Sequence, residues 1–334
     1  MPIRTLNIDD DQAMSAAYLI ECAAVQQVRP GWVPLSQDAR ILGWRADDGW
    51  RKHLLGAWDG TTLVGFAAGM NATDTPETTW VFVWVAPKYQ KAGIGTALVR
   101  AVEGTSQDST TRFTSSTYRS STVEIEELTR RFSQPLGYAL ATTETVVELD
   151  LRKTRLPEPN AVAGYEMYTY VNGVPAQFRE QVGQIKGLVD AEAPNGDLGW
   201  AETMVSPAEY ASEIELWVAQ GHTVFESIAV DLNGNVAAWT CLLAAADDKR
   251  AAQIEGTLVV AKHRGRGLGA AVKLASLTQA TKTTDVHKVR TSSDDENVWM
   301  RSINRTLGFL PVETEIIIQK DALRIDDQLP SPQR

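Results

Sequence analysis

The chain has 334 residues, 43% of them apolar and 22% charged, with a formal net charge of −10. That is the composition of a soluble globular protein long enough for two domains. No apolar run approaches the length of a membrane span, and so acidic a chain is poorly suited to nucleic acid, whose phosphates are held by clustered Lys and Arg. The opening MPIRTLNIDDDQ lacks the basic-then-apolar pattern of a secretory signal, which predicts a cytoplasmic protein. Cys22 and Cys241 lie in apolar surroundings of different halves and read as small buried hydrophobes rather than a disulfide. The four histidines are scattered without ligand spacing, so no metal is expected.

In the first half a hairpin turn at Asp59-Gly60 precedes Trp80–Glu103, WVFVWVAPKYQKAGIGTALVRAVE, followed by Leu136-Gly137-Tyr138. The stretch RKTRLPEPNAV at 152–162 carries two prolines, which lack a backbone donor and disfavour helix before them, and reads as a short stiff linker. Beyond it, the patterns predict a strand at Tyr165–Val171, helices at Ala176–Ala191 and Pro207–Gln220, and a hairpin of Thr223–Asp231 and Val236–Ala245 around Asn233-Gly234. A strand at Ala251–Ala261, a helix at Leu268–Thr281, a strand at His287–Ser293, a helix at Glu296–Thr306 and a strand at Phe309–Gln319 complete the series. The tail from Asp326, DDQLPSPQR, is polar and proline-bearing and reads as poorly ordered.

The two halves repeat. Asn233-Gly234 follows Asp59-Gly60 by 174 residues, Arg264–Gly269 follows Gln90–Gly95 by the same 174, and Leu307-Gly308-Phe309 follows Leu136-Gly137-Tyr138 by 171. The economical reading is two copies of one unit, spanning residues 1–151 and 163–325. Strands that first meander and then alternate with helices predict an α/β fold, a mixed sheet with helices on both faces, in each copy.

Trp80–Glu103 and Glu255–Ala275 share one plan: a β-rich run, a basic turn, then glycines opening an apolar helix. Such a turn aims successive backbone N–H groups, backed by the helix's positive end, at a phosphate, and glycine removes the side chains that would block the approach. Neither copy ends in the Gly-Lys-Ser/Thr of a Walker loop, and neither has the three-glycine spacing of a dinucleotide fingerprint.

Both loops resemble the Gln/Arg-x-x-Gly-x-Gly/Ala motif of the GNAT acetyltransferase superfamily, in Gln90-Lys91-Ala92-Gly93-Ile94-Gly95 and Arg264-Gly265-Arg266-Gly267-Leu268-Gly269. The family's later helix followed by Gly-Phe or Gly-Tyr is matched by Asn297–Phe309 and more loosely by Glu126–Tyr138. The resemblance implies two tandem GNAT domains using acetyl-CoA as acyl donor, a plan distantly similar to that of mycothiol synthase. It implies that the loop amides, extending to Thr96 and Ala270, hold the pyrophosphate. It also implies that Val83, Trp84, Val85 and Thr257, Leu258, Val259 pair with the pantetheine arm as an added strand would. Asn297 matches a position where relatives place an asparagine near the coenzyme, and it equally reads as a helix-start residue.

Acyl transfer to an amine needs a base to free the amine of its proton. The strand position where relatives often keep a glutamate holds Gln253 here, which cannot serve. Glu255 lies two residues on, facing the same side by the strand period, and is the candidate base; a bulge would turn it away. The first copy offers Thr79 and Val81, neither ionisable, which favours the second domain as catalytic. The family's usual acid, a tyrosine four residues before the later glycine, is replaced by Asn304 and Ser133. His222 reads as a surface loop residue and Asp294, Asp295 and Glu296 as helix-start acids. Trp32, Trp44, Trp50 and Trp58 either line a cleft of the first domain or belong to its core. The expected activity is N-acetylation of a small-molecule primary amine, by a monomer or homodimer. A non-catalytic acyl-CoA-binding or sensor protein and a peptide N-acetyltransferase stand as alternatives.

Overall fold

A computed structural model describes residues 1–29, 31–120, 131–159, 161–194, 196–198, 202–245 and 250–322. The chain forms two compact units, one of residues 1–32, 49–142 and 316–334, the other of residues 33–48 and 143–315.

In the first unit β1 (Ile3–Thr5), β2 (Trp50–Asp59), β3 (Thr62–Ala72), β4 (Thr78–Val85) and β5 (Arg112–Ser120) lie side by side in that order, followed by the 316–321 part of β12 (Leu310–Asp321). The first four are antiparallel neighbours and β4–β5 is parallel. Helix α1 (Asp11–Val28) begins where the Asp10 carboxylate accepts the amides of Gln12 and Ala13, and its Ala13, Met14, Ala17 and Ile20 are buried at helical spacing. Helix α3 (Ile94–Gly104) buries Ile94, Leu98, Val99 and Val102 in a core with Val64, Val81 and Phe113. The close of β12 is tied to this unit: Ala322 donates its amide to the Thr111 carbonyl at 2.8 Å and Lys320 pairs with Glu103 at 2.9 Å.

The second unit repeats the pattern. Its sheet runs through the 143–150 part of β6 (Ala139–Asp150), then β11 (Lys288–Asp294), β10 (Ala251–Val259), β9 (Val236–Ala244), β8 (Thr223–Asp231) and β7 (Tyr165–Val171). Here β10–β11 is the parallel pair and the other pairings are antiparallel. Its helices are α2 (Gln37–Arg45), α4 (Ala176–Glu192), α5 (Pro207–Ala219), α6 (Leu268–Thr283) and α7 (Val298–Thr306). Alternate strand residues feed separate cores. Val224, Ile228, Cys241 and Leu258 pack with Phe178, Val182, Ile185, Tyr210 and Ile214 of α4 and α5. Phe225, Leu242, Ile254 and Val289 pack with Leu274, Leu277, Leu307 and Phe309 on the α6 side. The sheet therefore has a helical layer on each face.

The expected elements of the second copy fall within a few residues of those found. The compact units are not the contiguous halves 1–151 and 163–325: the last strand of each repeat is divided, and 33–48 clusters with the second unit. The hydrophobic stripe of a final strand completes a six-stranded sheet whichever copy supplies it, so spacing within one copy carries no sign of the exchange. Residues 152–159, in the expected linker, hold neither helix nor strand. The expected tail from Asp326 and residues 126–130 lie outside the described residues. Among the described residues no helix is long and apolar enough to cross a membrane, and neither cysteine is in a disulfide.

Two glycines set how closely α4 approaches its neighbour. A Cβ at Gly187 would stand 2.0 Å from the Thr203 carbonyl oxygen, and one at Gly183 would stand 2.1 Å from that of Val205. Gly187→Ala is expected to destabilise the protein by roughly 3 kcal/mol, whereas Gly104→Ala, with open space around it, leaves stability unchanged or raised; thermal melts of the two variants check this.

Candidate active site

The parallel ladder between β10 and β11 is confined to three residue pairs, Ala251–Lys288, Ala252–Val289 and Gln253–Arg290. At the fork Thr291 Oγ1 donates to the Ile254 carbonyl at 3.4 Å. Beyond it, Ile254–Val259 stays paired to β9 on one edge and has no ladder with β11 on the other. The first unit forks likewise, after Thr78–Arg112, Thr79–Phe113 and Trp80–Thr114. Each fork leaves a row of backbone groups able to take an extended ligand as an added strand. Val83, Trp84 and Val85 lie on one such edge and Thr257, Leu258 and Val259 on the other.

Each free-edged strand runs into its glycine loop. Gln90 Nε2 donates to the Val85 carbonyl and Arg264 Nε to the Val259 carbonyl, both at 3.1 Å. The first residue of the motif thus buckles the loop to the strand in both copies, and Arg264 also pairs with Glu192. Two left-handed residues follow: Lys91 (φ 63°) and Gly93 (φ 78°) in one loop, Gly265 (φ 75°) and Gly267 (φ 81°) in the other. A Cβ at Gly93, Gly265 or Gly267 would meet nothing within 4 Å, so these glycines serve the turn and leave a cradle open. Lys91 holds a conformation that costs a side-chain-bearing residue about 1 kcal/mol. No side chain caps α3 or α6, so Ile94, Gly95, Thr96 and Leu268, Gly269, Ala270 present first-turn amides to the cradle. Ala92 and Arg266 complete the two loops. Gly95 and Gly269 do a different job: a Cβ there would lie 3.3 Å from Phe132 and 3.0 Å from Ile303.

The two copies differ on the strand before the loop. In β10 the register slips between Ile254 and Gly256, making Glu255 the extra residue of a β-bulge; β4 pairs with β3 without interruption. The corresponding Val81 is 2% exposed in the α3 core. Glu255 instead comes within reach of the charges of Lys186 on α4 and Glu213 on α5. Ile254 packs on the α6 side and Leu258 on the α4–α5 side, so alternation puts Gln253, Glu255 and Gly256 on the α4–α5 face. The bulge leaves Glu255 on that face.

Solvent reaches Glu255, yet protein crowds it on its remaining sides. This desolvation, with the Glu213 charge adding and Lys186 opposing, pushes its carboxyl up to about 7. Lys186 pairs with Glu213 and stands 4.9 Å from the Trp217 ring and 5.6 Å from those of Tyr210 and Trp239. Beneath them the fully buried Glu226 accepts from the Tyr210 hydroxyl and from Trp239 Nε1 at 2.8 Å, and burial raises its pKa too. None of Lys186, Glu213, Glu226 and Tyr210 was identifiable from spacing. The one signal was Glu226 itself, an acid in the middle of the largely apolar stretch Val224–Val230.

The remaining candidates are placed as follows. Asn297 caps α7, its Oδ1 accepting the Met300 amide at 3.1 Å, which leaves its NH2 for a ligand. Asp294 and Asp295 serve the same turn, with Asp294 Oδ1 accepting the Glu296 amide and Asp295 accepting from Thr145 Oγ1. His222 Nδ1 lies 3.3 Å from the Ala244 carbonyl. Trp44 is buried in the second unit, and Trp58 stacks under Arg4 in the first. In the first unit Thr79, 1% exposed, is closed in by Asn71 Nδ2 and Thr110 Oγ1, each at 2.8 Å. Asn304 is 2% exposed and accepts from the buried Lys273. Among the described residues no group of three or more His, Cys, Asp or Glu could hold a metal ion.

Opposing charges beside Glu255 predict opposite effects of removing them. Lys186→Met should raise the Glu255 pKa further above 7 and Glu213→Gln should lower it, which carboxyl-carbon NMR titration of glutamate-labelled protein would read.

The sequence matches the profile of the Acetyltransferase (GNAT) family at residues 19–117 and again at 196–309. A search of curated proteins finds no significant match. Among solved structures, a tandem GNAT protein from the clavulanic acid biosynthesis pathway is similar over 97% of this chain and 99% of its own, with a TM-score of 0.78 and 20% identity. A GCN5-related N-acetyltransferase from Sphaerobacter thermophilus is similar over 97% and 96%, with a TM-score of 0.66 and 19% identity. A fungal GCN5-related glucosamine N-acetyltransferase region, part of a multi-domain β-N-acetylglucosaminidase, follows at 0.65 and 18%, over 95% of this chain and 38% of that one. With the family profile matched twice, over well more than half its length, the chain belongs to the GNAT acetyltransferase family as a tandem member and is an acyltransferase.

Proposed function

We propose that the second unit transfers an acetyl group from acetyl-CoA to the primary amine of a small molecule, with Glu255 as the base. The observation that carries this reading is the placing of Glu255 on a bulge of the free-edged strand that runs into the open glycine loop. The coenzyme supplies the activated acyl group. The amides of Gly265–Ala270 suit its pyrophosphate, and the Thr257–Val259 edge suits its pantetheine arm, with Asn297 contributing its NH2. Glu255, poised near 7, then takes the proton that an incoming ammonium must lose before its nitrogen can attack. The Lys186–Glu213 pair keeps that carboxyl from rising further or falling into the ordinary carboxylate range, and the chain's net charge of −10 favours a cationic acceptor.

A second reading applies to the first unit. Its loop, residues 90–96, and its edge, residues 83–85, have the same coenzyme-binding form, while Thr79 and Val81 are sealed in the interior. We infer a site that binds acyl-CoA there without transferring the acyl group.

Turnover with an amine from a screen of amino sugars, aminoglycosides and small metabolites tests the proposal. Glu255 must be ionised to act, so the rate should rise with pH through about 7. Glu255→Gln should lose that dependence and slow kcat roughly a hundredfold to a thousandfold. An unchanged pH–rate profile would remove Glu255 from the mechanism.

A further inference from the structure

Lys273 is the one charged side chain among the largest fully buried residues, at 1% exposure. Its Nζ donates to Asn304 Oδ1 at 2.7 Å and stands 6.0 Å from the Phe309 ring. Asn304 Nδ2 is buried with no partner. Two side chains thus bring together an ammonium with one acceptor and an amide NH2 with none, inside an apolar core of Leu274, Leu277, Leu307 and Phe309. A buried donor left unmade costs about 1–3 kcal/mol, and replacing such a pair by apolar residues is commonly neutral or stabilising. The arrangement is unfavourable unless an acceptor arrives.

The pair's position says where that acceptor would come from. Gly269, in the first turn of α6, touches Ile303 of α7 and Val259 at the end of the free edge. Lys273 is one helical turn on from Gly269 and Asn304 adjoins Ile303, so the donors lie one turn in from the junction of edge, loop and α7. Burial alone pushes the Lys273 ammonium down to about 7. Among the described residues no carboxylate offsets this on α6, α7 or the neighbouring strands, and Arg301 and Arg305 of α7 are exposed to solvent.

We propose that Lys273, held by Asn304, is the acid that protonates the departing coenzyme thiolate. This rests on the second cleft binding coenzyme A. As the amine nitrogen bonds to the acyl carbon, the carbon–sulfur bond breaks and its electron pair passes to sulfur. Lys273 gives sulfur a proton and becomes a neutral amine; the nitrogen, still carrying one proton too many after bonding, sheds it to water, and once the coenzyme has left a proton from water restores Lys273 while Glu255 releases the one it took from the ammonium. Lysine suits the task because a thiolate is soft and its conjugate acid only moderately weak, so a donor titrating near neutrality matches it.

The test uses free CoA and needs no acceptor. The thiolate absorption of CoA bound to the full-length protein is followed against pH, with S-methyl-CoA, which cannot ionise, as reference. A Lys273 ammonium beside the sulfur should lower the thiol's midpoint by about one pH unit or more relative to Lys273→Met, a tenfold change in ionisation. Lys273→Gln serves as a second variant if the first folds poorly. Equal midpoints in wild type and variants would overturn the proposal while leaving the coenzyme site intact. Failure of wild type to bind CoA would overturn the coenzyme reading and the proposal with it.

Discussion

A parallel strand that loses its neighbour halfway along must leave backbone donors and acceptors facing a gap, and each unit of this chain has such a fork running into a glycine loop. Sheet ladders ordinarily satisfy these groups; here β4 and β10 part from β5 and β11 after three residue pairs. The fork forgoes ladder pairing and creates a slot whose chemistry is that of an unpaired strand edge. At its end the left-handed residues of each loop turn the chain so that a helix begins with uncapped amides facing the same slot. The strand edge and helix start together specify a long ligand with an extended polar arm and an anionic end, which describes the coenzyme the family uses.

Copies with the same slot need not do the same work. One slip of register at equal chain spacing separates them: the bulge at Glu255 changes which face each neighbouring residue occupies. Trp80, Phe82 and Trp84 of β4 form a stacked aromatic row with Val81 turned to the α3 core. In β10 the corresponding stretch turns Ile254 inward and presents a carboxylate to Lys186 and Glu213. The first unit thus keeps the forked strand and glycine loop, with Thr79 in a closed hydrogen-bond network, while the second has a titratable group near neutrality.

Much of this was legible in the sequence, for reasons that can be named. Asn233-Gly234 and Asp59-Gly60 mark hairpins because a left-handed turn is cheap for glycine, and the loops announced themselves by glycines at fixed spacing before apolar helices. The strand period set Glu255 on the face of Gln253, but the bulge that puts Gly256 on that face as well was not legible. What sequence could not give was long-range. Lys186 comes from α4 and Glu213 and Tyr210 from α5, two helices that meet only when they pack on the sheet, and no spacing encodes that meeting. Lys273 sits in the apolar run LGAAVKLASL, where a lysine reads as a solvent-facing position until α7 is seen to cover it. The exchange of β6 and β12 between the units was hidden because a final strand reads alike whichever sheet receives it.

The central claim is that the second slot holds coenzyme, and calorimetric titration of acetyl-CoA tests it most directly, with wild type compared against separate Gly93→Glu and Gly267→Glu variants whose fold is confirmed by circular dichroism. A glutamate in either open cradle places bulk and negative charge where pyrophosphate would lie. The account predicts that Gly267→Glu weakens the second unit's binding event by about a hundredfold or more, roughly 3 kcal/mol, and that Gly93→Glu leaves that event intact. Undiminished binding in Gly267→Glu, or no binding in wild type, would contradict it.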